Sequence, residues 1–199
     1  MKEAGGAKPE TAGNEAAAED RRLMARVQRG DEAAFGALME RWERPVKAVI
    51  ARLVFNATEA GELAQETFVR VWQQREKFRA GAEFRPWVFS IAVNLARNRM
   101  RWWRRRPSVS LQEWNETASG GNQEDGAGAV ALETAERAVA VRDAIAALPA
   151  ELREAIVLFE YEEMSQAEIA TAVGATPKAV ETRIYRAKEK LRTALRRWA

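Results

Sequence analysis

Residues 164–180 read MSQAEIATAVGATPKAV, and this stretch decides the fold of the carboxy-terminal part of the chain. Ser165 and Glu168 have the spacing of a capping box, in which a hydroxyl and a carboxylate each accept a hydrogen bond from an amide at a helix start. Gly174 stands where a residue in the left-handed conformation would end this short helix. Thr176 and Pro177 suit the cap and the first position of a second helix. The pattern predicts a helix-turn-helix.

The second helix of this unit carries a polar and basic face that suits the major groove of duplex DNA. Arg pairs bidentately with guanine and Glu accepts a hydrogen bond from cytosine, so Arg186 and Glu181 are the candidate specificity residues. A helical hairpin with an ordinary solvated basic face is the alternative interpretation. The candidate duplex-binding residues are Thr176, Lys178, Glu181, Thr182, Arg183, Tyr185 and Arg186.

Apolar residues at three-and-four spacing predict four helices upstream of this unit. The first begins near Asp20, the second follows a cap at Asp31 and is kinked at Pro45, the third is capped by Thr58, and Pro86 opens the fourth. No segment has the alternation typical of a strand. We therefore expect an all-α fold.

Composition divides the chain into four segments. Residues 1–19 are rich in Ala, Gly and Glu, and we expect a disordered amino-terminal tail. Residues 20–106 are predicted to form a four-helix domain, and residues 135–199 a domain that contains the helix-turn-helix. Between them, 107–134 loses helical periodicity and includes a polar, Gly-rich run, which predicts a flexible linker. We expect the two domains to make no fixed contact in the free protein.

Aromatic and basic residues cluster around the fourth predicted helix. Aromatic faces stack on unpaired bases and cations follow phosphates, which is the combination that single-strand binders use. Packing in the core is an equal alternative for Phe84 and Trp87, and the Arg run can also be a solvated helix end. The cluster comprises Lys77, Phe78, Arg79, Phe84, Trp87, Asn94, Arg97, Asn98, Arg101, Trp102 and Trp103.

The third predicted helix is amphipathic, with an outer face that is polar and partly acidic. Taken alone, simple exposure to solvent is the better interpretation of this face. Its residues are Glu62, Gln65, Glu66, Val69 and Gln73.

Composition also excludes several classes of protein. The 199 residues include no Cys and no His, which removes disulfides, thiol nucleophiles, imidazole bases and the usual zinc ligands. Carboxylate pairs such as Glu62 with Glu66 lack a companion His or a Gly-rich phosphate loop. We therefore expect no enzyme, no metal and no cofactor. No apolar run is long enough for a membrane span and no signal core is present, so we expect a cytoplasmic protein without membrane insertion.

Several motifs in a fixed order resemble the extracytoplasmic-function (ECF) group of the sigma-70 family, which are promoter-recognition subunits of bacterial RNA polymerase. The resemblance spans about residues 20–106 and 135–197, which it identifies as sigma domain two and sigma domain four. The motifs are GDEAAF at 30–35, QETFVRVW at 65–72, FRPWVFSIAVN at 84–94, Leu148-Pro149, and RIYRAK at 183–188.

The resemblance implies a sigma factor that binds core RNA polymerase and directs promoter-specific initiation by recognising and helping to melt promoter DNA. It implies that the outer face of the third helix docks on the clamp coiled coil of the largest polymerase subunit. The carboxy-terminal helix would bind the minus-thirty-five element as duplex. An anti-sigma protein is the further partner implied. The residues implied in capture of the melted minus-ten strand are Lys77, Phe78, Arg79, Asn94, Arg97, Asn98 and Arg101.

Two other classes of function remain open at this point. A helix-turn-helix regulator that acts without joining core polymerase would explain the carboxy terminus but not the acidic face or the Trp-Arg cluster. An enzyme is the weaker alternative, and a release factor or another protein-binding bundle stands level with it.

Overall fold

A computed structural model describes residues 9–105 and 128–198, with side chains over 14–105 and 134–198. In these residues all regular structure is helical, which confirms the all-α prediction. The eight α-helices are α1 (Pro9–Val27), α2 (Glu32–Val54), α3 (Ala57–Gln73), α4 (Phe84–Arg104), α5 (Gly128–Ala146), α6 (Ala150–Glu160), α7 (Gln166–Val173) and α8 (Pro177–Ala194). Short 3-10 helices lie at Arg75–Lys77 and Arg196–Trp198.

Local capping signals in the sequence are reproduced in the structure. Asp31 accepts a hydrogen bond from the amide of Ala34 at the start of α2. The capping box of α7 is complete, because the hydroxyl of Ser165 accepts from the Glu168 amide while the Glu168 carboxylate accepts from the Ser165 amide. Gly174 then ends α7 with φ 69°, a conformation that costs glycine little. The predicted helix-turn-helix is therefore present.

Two helices are longer than predicted. Helix α1 begins at Pro9, so the expected tail over 1–19 is wrong from residue 9 onward, while 1–8 lie outside the described residues. Alanine-rich sequence after a first-position proline favours helix even where no apolar stripe is visible. Helix α5 begins at Gly128, so the predicted linker is helical over 128–134. Residues 106–127, which hold the rest of that prediction, lie outside the described part.

Two helix starts also differ from the prediction. Asn56, not Thr58, caps α3 by accepting the amide of Glu59 at 2.9 Å. Helix α4 starts at Phe84 rather than Pro86, and proline still fits there because the amides of a first turn have no intrahelical partner. Helix α2 runs unbroken through Pro45.

Helices α1 to α4 pack around one apolar core that we call the first unit. Its largest fully buried side chains include Met24 of α1, Leu38 and Ile50 of α2, Leu63 of α3 and Phe89 of α4. Helices α5 to α8 form the second unit in the same way. There Leu158, Met164 and Ile169 are buried beneath α8, whose Val180 and Ile184 face inward.

The two units pack directly against each other, contrary to the expectation of no fixed contact. Helix α4 lies along α7, and α2 lies along α6. The buried apolar residues of both units form one continuous cluster. Apolar surface on α4 and α6 that the separate units would expose is covered by this contact, which favours the packed arrangement.

A buried arginine joins the units at this contact. Arg153 of α6 is 8% exposed, and its guanidinium donates to the carbonyls of Leu53, at the end of α2, and Ile145, near the end of α5. It also donates to the carbonyls of Ala146 and Leu148. The last carbonyls of a helix have no intrahelical partner, so one side chain satisfies groups at two helix ends. Burial lowers the pKa of Arg153, and Arg104 adds to the effect.

In the described ranges 9–105 and 128–198, none of the helices combines the length and the apolar character needed to cross a membrane.

Candidate nucleic-acid and protein interfaces

The connection between α3 and α4 carries the first group of predicted single-strand contacts. Phe78 is 5% exposed, and its ring packs against Phe84 and Trp87 with centroid distances of 6.4 and 5.0 Å. The structure therefore covers the ring of Phe78, so the predicted contact with DNA requires this ring to leave the core. Its aromatic face is covered because the apolar ring closes the end of the first unit's core. For Phe84, which is 1% exposed, the alternative of core packing is correct.

Residues 77–83 of this connection, which we call the capture loop, project basic side chains into solvent. Lys77 and Arg79 are exposed. The chain turns after Arg79, where the amide of Ala82 donates to the Arg79 carbonyl at 3.0 Å. Gly81 has φ 78°, in the left-handed region where a side chain would be strained. The loop therefore has a defined turn with two cations beside it.

Helix α4 divides the remaining predicted single-strand residues between two faces. Asn94, Arg97 and Arg101 lie on the face toward the second unit, at the helical spacing that makes them neighbours. Asn94 and Arg101 are exposed, and Arg97 also donates to the Asn94 side-chain oxygen at 3.3 Å. A cleft of about 360 Å³ lies between the units here. Its charged lining consists of Arg97, Arg101, Arg104, Glu151, Glu154 and Arg183.

Arg97 is engaged by the second unit. Its Nε and Nη2 atoms donate to the two carboxylate oxygens of Glu154 at 3.1 and 2.7 Å, and the Glu154 residue is 1% exposed. Hydrogen bonding by Glu154 raises the pKa of Arg97. Two parallel charge-assisted hydrogen bonds are a strong form of ion pair. Glu154 belongs to none of the sequence motifs described above. It also lies off the apolar stripe of α6, so its burial could not be predicted from the helical pattern.

Asn98 lies on the opposite side of α4, away from the other predicted single-strand residues. It lines a groove of about 450 Å³ between α3 and α4, together with Leu63, Glu66, Leu95 and Trp102. The structure therefore places Asn98 beside the predicted protein-docking face rather than with Asn94 and Arg97. Trp102 is 38% exposed on the same side, whereas Trp103 packs against the core.

The outer face of α3 brings all five predicted docking residues together. Four of them are exposed, and Glu66 is half-buried because it pairs with Arg70 at 2.6 Å. Val69 is 52% exposed, which is unusual for an apolar side chain within a well-packed unit. The face consists of Glu62, Gln65, Glu66, Val69 and Gln73.

Helix α8 presents most of the predicted duplex-binding residues to solvent. Thr176 caps the helix by accepting the Ala179 amide at 3.2 Å, and Lys178 pairs with Glu181 at 2.9 Å. Tyr185 is 66% exposed. The exposed predicted residues are Thr176, Lys178, Glu181, Thr182, Tyr185 and Arg186.

Arg183 differs from the other predicted residues of α8. It is half-buried and directed toward α6, where its Nη2 atom lies 3.2 Å from a carboxylate oxygen of Glu151. The structure therefore gives Arg183 a partner inside the protein.

No group of three or more potential metal-ligating side chains gathers in the part of the chain whose side chains are described. The candidate sites are surfaces of charged, polar and aromatic groups. Such surfaces suit binding to nucleic acid and protein.

Comparison with known proteins gives matches in both units. A family model described as Sigma-70 region 2 matches residues 38–106, and one described as Sigma-70, region 4 matches residues 138–191. The RNA polymerase sigma-H factor of Pseudomonas aeruginosa is 36% identical over 186 residues, covering 89% of this chain and 94% of the relative. The ECF RNA polymerase sigma-E factor of Escherichia coli K12 is 33% identical over 175 residues, covering 85% and 91%.

Solved structures are similar over nearly the same length. The structure of CnrH in complex with the cytosolic domain of CnrY matches with a TM-score of 0.65 and 28% identity, covering 91% of this chain and 99% of that one. The sigma factor RpoE of Bartonella quintana, solved with the anti-sigma factor NepR, matches with a TM-score of 0.62 at 22% identity, covering 81% and 96%. The second similarity is evidence for the fold alone.

Proposed function

The chain belongs to the extracytoplasmic-function group of the sigma-70 family, and we propose that its two helical units divide promoter recognition between them. It is a sigma factor, a non-enzymatic subunit that directs promoter-specific initiation of transcription with core RNA polymerase. The domain boundaries that we propose are α1 to α4 for sigma domain two and α5 to α8 for sigma domain four.

The second unit binds the minus-thirty-five element as duplex DNA. The observation that carries this assignment is the exposed face of α8, where Lys178, Glu181 and Arg186 stand free of the core on a helix that follows a complete helix-turn-helix. A helix of this kind enters the major groove with its amino-terminal half toward the base edges. Arg186 is the residue best suited to a guanine, through two parallel hydrogen bonds.

The first unit captures the melted minus-ten strand with the capture loop and one face of α4. Lys77, Arg79 and Arg101 are exposed cations, and Asn94 offers an amide that can bond to a base edge. Moving a base out of the DNA stack costs a few kcal/mol of free energy, so the contacts between the base and the protein must offset that cost. Arg97 joins this surface once Glu154 no longer holds it.

The outer face of α3 docks on core polymerase. Support comes from an exposed Val69 flanked by the acidic Glu62 and Glu66, a combination that suits a basic helical partner with apolar side chains. Asn98 and Trp102 border this face across the α3–α4 groove. We further propose that an anti-sigma protein controls this chain in the cytoplasm, as the family resemblance implies. The solved relative CnrH is likewise held in a complex, with the cytosolic domain of CnrY.

Reconstitution tests the proposal. The purified full chain is mixed with bacterial core RNA polymerase and used to select fragments from a random-sequence duplex library, which are then transcribed in vitro. We expect the reconstituted enzyme to select fragments with two spaced elements and to initiate at a fixed distance from them, while core polymerase alone does neither.

The same experiment distinguishes the proposed sigma factor from the alternative, a regulator that works without core polymerase. Such a protein would select duplex DNA tightly on its own and gain nothing from the polymerase. That result would contradict the proposal.

A further inference from the structure

Gln28, which follows the last residue of α1, reaches across to the start of the capture loop. Its side-chain Nε2 atom donates to the carbonyl of Arg75 at 3.0 Å and to the carbonyl of Phe78 at 2.8 Å. A glutamine amide nitrogen carries two hydrogens, so each carbonyl receives its own. The Gln28 side chain is half-buried, which reduces the competition from water. The residue that follows α1 thus fixes the backbone on both sides of Lys77.

Arg21 makes the matching contact at the other end of the loop. Its guanidinium forms an ion pair with Glu83, the residue that precedes α4. Arg21 and Gln28 are seven residues apart, which is about two helical turns and places them on one face. This face of α1 therefore spans the capture loop from end to end.

The middle of the loop has few other restraints. Arg79, Ala80 and Gly81 are exposed, and Gly81 has open space around its Cα. Within the turn, the described backbone bond is the one from Ala82 to Arg79. A loop left free to sample many conformations must lose that freedom when it binds a strand, which weakens binding. Fixing both ends beforehand removes part of this cost.

We propose that Gln28 and Arg21 are positioning residues that hold the capture loop in its strand-binding shape, an inference that rests on the proposed role of this loop. They contact no base or phosphate themselves. They act through the carbonyls and the carboxylate that border the loop, so α1 is part of the melting apparatus as well as of the core.

Hydrogen exchange in the free full chain tests the first half of this inference. Gln28→Met has a side chain of similar length without donors, so the loop should open more often. The variant loses both hydrogen bonds from Gln28 to the loop backbone. We therefore expect the amides of Phe78 and Ala82 to exchange roughly tenfold faster, a factor that corresponds to about 1.4 kcal/mol. Arg22→Ala is the matched control on the outer side of α1, where the Arg22 side chain is 78% exposed. It should leave loop exchange unchanged.

Promoter melting by the reconstituted polymerase tests the second half. The probe is a promoter fragment obtained by the library selection above, with 2-aminopurine in its minus-ten element. We expect Gln28→Met and Arg21→Glu to reduce the rate of melting roughly threefold to tenfold, while binding of the minus-thirty-five duplex stays within about twofold. Combining Arg21→Glu with Glu83→Arg restores the ion pair in reverse, so melting should recover. This rescue would assign the effect to the pair with Glu83 rather than to Arg21 alone, and an unchanged thermal denaturation midpoint would show that slower melting does not come from loss of folding.

Three results would overturn the inference: unchanged loop exchange in Gln28→Met, faster exchange without slower melting, or a charge reversal that fails to rescue. Thermal denaturation identifies any variant that does not fold. If Gln28→Met does not fold, the variants of the surface pair Arg21 and Glu83 test the inference instead.

Arg79→Ala separates the inference from the proposed function. If Arg79→Ala melts promoters normally, the loop does not capture the strand; if it is impaired while Gln28→Met is normal, only the positioning role fails.

Discussion

Arg97 of α4 and Glu154 of α6 form a two-point ion pair across the contact between the two units, with nitrogen-to-oxygen distances of 3.1 and 2.7 Å. The Glu154 side chain is 1% exposed and that of Arg97 is 24% exposed. A phosphate or base that uses Arg97 must therefore take it from Glu154. If Arg97 binds the melted strand as proposed, the second unit and that strand compete for the same guanidinium in the free protein.

Replacing Glu154 should shift this competition. Glu154→Gln keeps the size of the side chain but removes the charge, so Arg97 is held less strongly. We expect binding of the selected minus-ten single strand to the free chain to become about threefold to tenfold tighter. The free energy of unfolding should fall by about 1–3 kcal/mol, because a buried charge-assisted pair is weakened. Fluorescence anisotropy and urea denaturation measure the two quantities.

Glu160→Gln is the matched control for this change. Glu160 pairs with Lys188 at 2.8 Å inside the second unit and is half exposed, so its loss should alter neither quantity appreciably. Equal gains in strand binding for both variants would show that overall charge, rather than release of Arg97, is responsible.

Arg186→Ala should change which duplex is recognised. Removing a bidentate contact to guanine costs about 1–3 kcal/mol and relaxes preference at one base position. Arg183→Ala is the comparison, because Arg183 points toward Glu151 and should affect affinity without altering base preference. Binding of a library with each minus-thirty-five position randomised measures both. A change of base preference in Arg183→Ala but not in Arg186→Ala would reverse the assignment.

Glu66→Lys should weaken assembly with core polymerase about tenfold or more, because it places a cation against a basic partner. Within α3 the new charge faces Arg70, and this repulsion costs only about 0.2–0.5 kcal/mol in a helix. Glu136→Lys makes the same change on the exposed side of α5 and serves as control. Biolayer interferometry with immobilised core polymerase gives both affinities. Equal losses would assign the effect to net charge and remove α3 as the docking face.

Glu162 should destabilise the fold at neutral pH. Burial raises the pKa of this carboxyl, and the nearby Arg85 and Arg52 offset the effect only in part. With a folded-state pKa above the unfolded one, the stabilising contribution is complete below the unfolded pKa and is lost as the pH rises through the folded pKa. Glu162→Gln should therefore raise the free energy of unfolding at pH 7.5 by about 0.5 kcal/mol, with no gain near pH 4.

Urea denaturation at the two pH values measures this difference. Glu163→Gln removes the same charge at the exposed neighbouring position and is the matched control. If the advantage of Glu162→Gln persists at low pH, the carboxyl is not penalised by burial.

Features that depend on nearby residues could be predicted from the sequence. The caps at Asp31, Ser165 and Thr176 each involve an amide three residues away, so spacing alone identifies them. The outer face of α3 and the exposed face of α8 likewise follow from helical periodicity. Even here the cap of α3 is Asn56 rather than the predicted Thr58, because both side chains offer an acceptor oxygen and asparagine is the better cap of the two.

Features that depend on distant residues could not be predicted in the same way. Glu154 and its partner Arg97 are 57 residues apart, and the Glu154 carboxylate lies on a helix whose pattern gives no reason to expect burial. Phe78 stands among cations in the sequence, but its ring is buried against Phe84 and Trp87 of α4. The amino-terminal half of α1 has no apolar stripe, and its described hydrogen bond to α2 runs from the Arg41 guanidinium to the Ala16 carbonyl.

Arg153 has a consequence for how the molecule comes apart. Its guanidinium closes the end of α2 in one unit and of α5 in the other, so neither end can fray without leaving a buried charge unsatisfied. Melting of either unit must therefore break bonds that belong to both. Heat should disrupt the free protein in a single cooperative transition, and any separation of the units would leave the Leu53 carbonyl without the donor that Arg153 provides.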